Sequence, residues 1–228
     1  MSDYSILLFD ADGTIMDFHR SEYEAVKESL EFFSLPDDDN VIAKYSEINS
    51  GYWRMLERGE IEKSKLYAAR WQTLIDTYNF DCDAQALSDK YIENLASKSY
   101  MIDGALEMCQ RLHQKYKMYI VTNGQKYIQH NRLFPSPLFK YFDNCFISED
   151  VGYEKPNIKY FELIEKQIPD FDRKKAIIIG DSLTSDMQGG INAGIDTCWY
   201  NPAGKKAPDD MKLTYIVNNF SEIEDILL

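Results

Sequence analysis

The side chains of this chain with the means to do chemistry fall in four short segments. In Phe9-Asp10-Ala11-Asp12-Gly13-Thr14, two carboxylates stand two residues apart. They repel each other, a cation between them relieves the repulsion, and hard oxygen ligands of this kind suit Mg²⁺. Gly13 permits a tight turn whose backbone amides can face an anion. An ordinary acidic turn accounts for the same residues. In Val121-Thr122-Asn123-Gly124, a threonine hydroxyl can donate to an anionic oxygen, or the segment is a plain turn into a helix. In Gly152-Tyr153-Glu154-Lys155-Pro156, Pro156 suits the first turn of a following helix and would fix Lys155 at its entry. A lysine there reaches an anion without leaving water completely. In Gly180-Asp181-Ser182-Leu183-Thr184-Ser185-Asp186, Asp181 ends an apolar run, where an unpaired carboxylate is costly to bury. Asp186 serves a metal site or caps a helix, and the two roles are compatible.

These residues act together only if the fold brings them together, and the apolar pattern suggests how. Ser5–Phe9, Lys117–Val121, Cys145–Ser148, Ala176–Ile179, Asp196–Tyr200 and Tyr215–Val217 read as strands. Their continuous apolarity suits strands covered on both faces, as in a parallel sheet. Helical patterns over Gly104–Gln114, Ile158–Gln167 and Asp186–Ala193 lie between them, and this alternation argues for an open α/β sheet. Asp10, Thr122 and Asp181 each follow a predicted strand, so they point to the crevice outside the carboxyl ends. From about Met16 to Lys98 no strand is expected. Ser21–Phe33, Val41–Arg58, Lys63–Tyr78 and Ala84–Ser97 read as helices, broken at Pro36, Asp37–Asp39 and Gly59. Asn201–Asp210 reads as an exposed loop, and Gly13–Phe18 and the region near Lys98–Gly104 as hinges.

Composition narrows the function classes. With 228 residues the chain suits one large domain or a core plus a smaller one. Its formal charge of −13 repels a nucleic-acid backbone, and no basic stripe overrides this. No apolar run approaches the ~18 residues that span a bilayer, and MSDYSILLFDADG has no basic signal-peptide region. Neither a nucleic acid nor a membrane is expected as partner, and a cytoplasmic location is. Cys82, Cys109, Cys145 and Cys198 form no CxxC pair and match no zinc spacing. They read as buried thiols of a reducing compartment.

In order along the chain, DxDGT at Asp10–Thr14, Thr122-Asn123 after an apolar run, Lys155-Pro156 and GDSxxxD at Gly180–Asp186 resemble the haloacid dehalogenase-like hydrolases, most of which are phosphatases. The resemblance implies a Rossmann-like parallel sheet core (1–15 and 99–228) with an inserted all-helical cap (16–98). It implies Asp10 as a nucleophile that forms an aspartyl-phosphate. Asp12 would be the general acid–base and would lend its backbone carbonyl to Mg²⁺. Thr122, Asn123 and Lys155 would bind the transferring phosphoryl group. Asp181 would ligate the metal, and Asp186 would do so directly or through water. The true dehalogenases of this family lack an acid two residues after the nucleophile, so Asp12 points to phosphoryl transfer.

Within the cap, the pattern N…W…E-x-G-E-I…R at Asn49, Trp53, Glu57–Ile61 and Arg70 is similar to nucleotidases that act on nucleoside 5′-monophosphates, including noncanonical pyrimidine ones. It implies that Asn49, Trp53 and Arg70 face the leaving group. Trp53, Leu56, Trp71 and Leu74 at helical spacings read equally as cap core. The expected function is thus a Mg²⁺-dependent phosphomonoester hydrolase, monomeric or dimeric, whose partner is a small phosphate ester such as a nucleotide. The alternatives are a phosphatase for phosphoglycolate or sugar phosphates, a phosphomutase, and a slow-turnover phospho-aspartate binding module.

Overall fold

The computed structural model describes residues 3–228. Six strands form one parallel sheet: β1 (Ile6–Phe9), β2 (Lys117–Thr122), β3 (Asn144–Ile147), β4 (Ala176–Gly180), β5 (Asp196–Tyr200) and β6 (Tyr215–Val217), in the order β3-β2-β1-β4-β5-β6. The apolar runs become strands because both faces of the sheet are covered. Leu7 and Phe9 join one core with Met118, Ile120, Ile177 and Ile179. Ile6 and Leu8 point the other way, into a second core with Val121 and Ile178. This two-residue alternation inside an all-apolar run is the signature of a doubly covered strand. The weak third strand starts one residue earlier than expected, and Ser148 begins a helical turn instead of ending it.

Residue contacts divide the chain into two compact units, the chain up to Asp17 with Met101–Leu228, and Phe18–Tyr100. The second unit is helical: α1 (Phe18–Phe32), α2 (Asp39–Glu57), α3 (Lys63–Tyr78) and α4 (Ala84–Ala96). Asp38 caps α2 by accepting from the Asn40 amide at 2.9 Å. Asp83 caps α4 through the Ala86 amide at 2.8 Å. The first helix starts three residues before the sequence pattern shows it, since Phe18, His19 and Arg20 bury no apolar face that would announce it. The core of this unit is built around Tyr45, Trp71 and Tyr91, with Tyr45 and Trp71 ring centroids 4.1 Å apart.

A buried polar chain crosses that core. Arg70 Nη1 donates to Asn49 Oδ1 at 2.7 Å, Asn49 Nδ2 donates to Glu22 Oε1 at 2.6 Å, and Ser46 Oγ donates to Glu22 Oε2 at 2.6 Å. Glu22, Asn49 and Arg70 are all buried, and the guanidinium lies 5.0 Å from the Tyr91 ring centroid. Removing one member of such a chain leaves its buried neighbours unsatisfied. Arg70→Met is therefore expected to destabilise the protein by about 1–3 kcal/mol, read as a lower urea midpoint. An unchanged midpoint would show that the network contributes nothing.

The sheet-bearing unit adds α5 (Ala105–Leu112), α6 (Lys126–Leu133), α7 (Ser148–Val151), α8 (Ile158–Glu165), α9 (Gln188–Ala193) and α10 (Phe220–Leu227). The sequence pattern did not call for α10, and offered α6 only as the helix that a plain turn at Val121–Gly124 would lead into. Helix α10 had a readable signal. Asn219 accepts from the Glu222 amide at 3.1 Å while Glu222 accepts from the Asn218 amide at 2.8 Å, a reciprocal cap. Phe220, Ile223 and Leu227 then bury one stripe. Cys109 and Cys198 are buried and Cys82 and Cys145 half-buried, and all four are free. Burial pushes the Cys109 and Cys198 thiols up to about 12, which leaves them inert at neutral pH. Among the described residues no helix is long and apolar enough to cross a membrane.

Candidate active site

Strand register gathers the site. Phe9, the last residue of β1, is level with Ile120 of β2 and Ile179 of β4, which end two residues and one residue further on. The chain moves outward from β1 through β2 to β3, then returns to β4 on the other side. Ligands of open α/β sheets bind where the strand order reverses in this way, and Asp10, Thr122 and Asp181 emerge there.

Lys155 sits at the centre. Its Nζ donates to Asp10 Oδ1 at 2.8 Å, to Asp186 Oδ1 at 2.6 Å and to the Val121 carbonyl at 2.6 Å, which uses all three ammonium donors. Only 1% of Lys155 is exposed. The half-solvated lysine expected from sequence is thus a buried one. Pro156 lies outside the helix, whose N-cap is Asn157, because the Asn157 side chain accepts from the Lys159 amide. Asn123 clamps the lysine backbone. Its Oδ1 accepts from Lys155 N at 2.9 Å and its Nδ2 donates to Lys155 O at 2.8 Å.

Asp186 is fully buried and does not cap a helix. It lies in a wide turn, Leu183–Met187, in which the Met187 amide reaches back to the Ser182 carbonyl. Ser182 is the cap, accepting from the Ser185 amide. Asp186 Oδ2 accepts from the Ser182 amide at 3.1 Å. The carboxylate packs so closely on Gly180 that a Cβ there would fall 2.3 Å from Oδ2. Gly13 has φ +85° and a Cβ on it would lie 2.6 Å from Asp181 Oδ2, so the turn and the approach of Asp181 both demand glycine. The amides of Gly13, Thr14, Ile15 and Met16 bond to the carbonyls of Met16 and Ala11. These bonds close the turn.

Asp10, Asp181 and Asp186 each offer an oxygen within 4.8 Å of the others. Burial, then the Asp186 charge, push the Asp10 carboxyl well above the usual range, with Lys155 opposing. Crowding by protein, then Asp186, push Asp181 up to about 7. Asp181 keeps an exposed side, which tempers the burial contribution. Burial works against the Lys155 charge too, but Asp10 and Asp186 outweigh it and hold the ammonium above its ordinary value. Three carboxylates around one ammonium leave excess negative charge on hard oxygen donors. That donor set fits a Mg²⁺ ion, with Asp10, Asp181 and Asp186 as its holders.

Two more side chains complete the picture. Thr122 Oγ1 accepts from the Gly124 amide at 3.1 Å and from Gln129 Nε2 at 2.9 Å. With two donors arriving, the hydroxyl proton is left to be donated. Asp12 takes no part in the acidic cluster. Its Oδ1 accepts from Arg132 Nη1 at 2.6 Å and its Oδ2 from Gln129 Nε2 at 2.7 Å. Neither Gln129 nor Arg132 stood out in the sequence, since α6 has no apolar stripe to mark it. Trp199 was missed as well, and its Nε1 holds the Asp181 carbonyl at 2.8 Å. In the helical unit, Asn49 and Arg70 belong to the buried chain described above, while Trp53 is half-exposed on α2 with Lys63 Nζ 5.9 Å from its ring centroid.

A parallel sheet of this order, with a buried lysine between carboxylates at the carboxyl ends of its strands, is a Rossmann-like architecture with a polar site at its crevice. Residues 7–200 match the family of haloacid dehalogenase-like hydrolases, and the chain belongs to that family. It is 38% identical over 227 residues to YfnB of Bacillus subtilis, named as a HAD-hydrolase, spanning 100% of this chain and 97% of that protein. It is 36% identical to the pyrimidine 5′-nucleotidase PynA of Streptococcus pneumoniae over 98% of this chain and 95% of that protein. The pyrimidine 5′-nucleotidase YjjG of Escherichia coli is 29% identical, over 97% and 96%. A crystal structure of YfnB bound to magnesium superposes with a TM-score of 0.94 over 98% of each chain. A dehalogenase structure, 19% identical with a TM-score of 0.78 over 100% of this chain and 98% of that one, shares the fold.

Proposed function

We propose that the protein is a Mg²⁺-dependent phosphomonoesterase that works through an aspartyl-phosphate on Asp10 and takes nucleoside 5′-monophosphates. The observation that carries this reading is the convergence of Asp10, Asp181 and Asp186 on buried Lys155, with Asp12 two residues past Asp10 and held apart from the cluster. A dehalogenating relative needs no acid at that position, whereas an alkoxide leaving group does.

Asp10 attacks phosphorus, the P–O ester bond breaks, and the phosphoryl group moves to the Asp10 carboxylate. Asp12 delivers its proton to the departing oxygen, then takes one from the water that attacks phosphorus and frees Asp10. Lys155 and the Thr122 hydroxyl stabilise charge on the equatorial oxygens. Asn123 supports this by fixing the Lys155 backbone. Bound Mg²⁺ supplies charge neutralisation between Asp10 and the phosphate. The names of PynA and YjjG favour a nucleotide. Asn49 and Arg70 are bonded to each other within the helical unit. Phosphate release from UMP, dUMP, dTMP, phosphoglycolate and hexose phosphates tests the reading. Nucleotides are expected to lead, with EDTA abolishing release and Mg²⁺ restoring it. No release from any nucleotide would refute the substrate class, and EDTA-insensitive release the metal.

The acidic cluster also predicts a pH dependence. Both Asp10 and Asp181 have native values raised above the unfolded ~3.9. Their contribution to stability is therefore present at low pH and lost as pH rises through their native values, which for Asp181 is about 7. A cation that binds the ionised forms reverses the loss. Mg²⁺ is expected to raise Tm more at pH 7.5 than at pH 5, and an equal shift at both would contradict the assignment of these carboxylates as its ligands.

A further inference from the structure

Gln129 and Arg132 have no role in the chemistry just described, yet both are fully buried. Burying a guanidinium costs several kcal/mol unless it is paired. Here it meets Asp12, whose side chain keeps 23% of its surface exposed. The two residues lie three apart in α6, on one face of the helix. From that face Arg132 Nη1 takes Asp12 Oδ1 at 2.6 Å and Gln129 Nε2 takes Asp12 Oδ2 at 2.7 Å. One helix thus grips both oxygens of one carboxylate and leaves its rotamer no freedom. The same Gln129 Nε2 reaches Thr122 Oγ1 at 2.9 Å, so the grip is tied to the strand end that would hold the phosphoryl group.

We propose that Gln129 and Arg132 are positioning residues for proton transfer. They set the Asp12 carboxyl where it can serve the leaving-group oxygen and, through Gln129, keep it in register with the Thr122 hydroxyl. The inference rests on the assignment of Asp12 as general acid–base. A purely structural role for the pair would lower turnover of every substrate alike. A positioning role affects substrates according to how much they need the proton. The alkoxide leaving from UMP needs it in the first step, while nitrophenolate departs without it.

The test compares kcat/KM for UMP and for p-nitrophenyl phosphate, with Mg²⁺ present, in Asp12→Asn, Gln129→Met, Arg132→Met and Arg132→Lys. The ratio of the two values is independent of the folded fraction of any preparation, so partial misfolding does not blur it. General acid–base catalysis is worth ~10²–10⁴, and losing the grip forfeits part of that. The Met variants are expected to lose about 10–100-fold on UMP and several-fold less on p-nitrophenyl phosphate. Arg132→Lys should recover part of the loss. In the Asp12→Asn background neither Met substitution should change the ratio further. If Asp12→Asn discriminates between the substrates but the Gln129 and Arg132 variants lose both equally, the positioning role is wrong. If Asp12→Asn itself fails to discriminate, the acid–base reading of Asp12 falls and this inference falls with it.

Discussion

Asp10→Asn is expected to lower kcat by about 10⁴-fold or more, while the protein stays folded. An amide is a far poorer nucleophile than a carboxylate, and loss of a covalent nucleophile removes a whole route and not one stabilising contact. At ~1.36 kcal/mol per tenfold, 10⁴ corresponds to about 5.4 kcal/mol of transition-state stabilisation. The substitution is isosteric, and it removes a carboxylate that burial and Asp186 already press toward its neutral form. Metal-free stability should therefore hold, whereas the Mg²⁺-induced rise in Tm should shrink. A variant turning over within tenfold of its parent would contradict the nucleophile assignment. An inactive variant that has also unfolded would be recognised by its far-UV circular dichroism.

Lys155→Met should cost both stability and rate. It strips the shared cation from Asp10 and Asp186, leaving two carboxyl groups facing each other in a site where Lys155 and Asp186 are 1% and 0% exposed. Breaking one side of a buried ion pair typically costs ~3–5 kcal/mol. Loss of one preorganised donor to a developing oxyanion typically costs ~10²–10³ in kcat. The methionine stem keeps most of the packing, so the deficit reports charge and not a cavity. Mg²⁺ should restore part of the stability, since it supplies positive charge to the same carboxylates, and should restore little of the rate. A urea midpoint equal to that of the parent would show that the ammonium is not what holds these carboxylates together.

The parts of the molecule that were legible in the sequence are those where one local signal carries the message. SILLF and AIII announce strands because a four- or five-residue apolar run has few other uses in a chain with turns on either side. DxDGT and GDSLTSD then follow such runs, and the sheet register does the rest. The breaks at Pro36 and Gly59 were readable for the same reason. What escaped notice depends on distant partners. Helix α6 is polar almost throughout, and its Gln129 and Arg132 matter only because Asp12 lies across the sheet end from them, 117 and 120 residues away in sequence. The burial of Lys155 could not be read from its own segment, where glutamate, lysine and proline suggest a wet loop. It follows from three acceptors delivered by β1, β2 and the turn after β4. Asp186 looked like a helix cap because the wide turn that swings it onto Gly180 leaves no mark in residue pattern.

The central claim is that phosphorus bonds transiently to a carboxylate oxygen of Asp10. The most direct measurement is to quench the enzyme during turnover of UMP with Mg²⁺, reduce with borohydride, and sequence the peptide by mass spectrometry. An acyl phosphate at Asp10 would be reduced to homoserine, so homoserine at position 10, dependent on both substrate and metal, is the predicted result. An unmodified Asp10 in enzyme quenched at steady state, together with inversion of configuration at phosphorus, would mean that water attacks directly and would contradict the account.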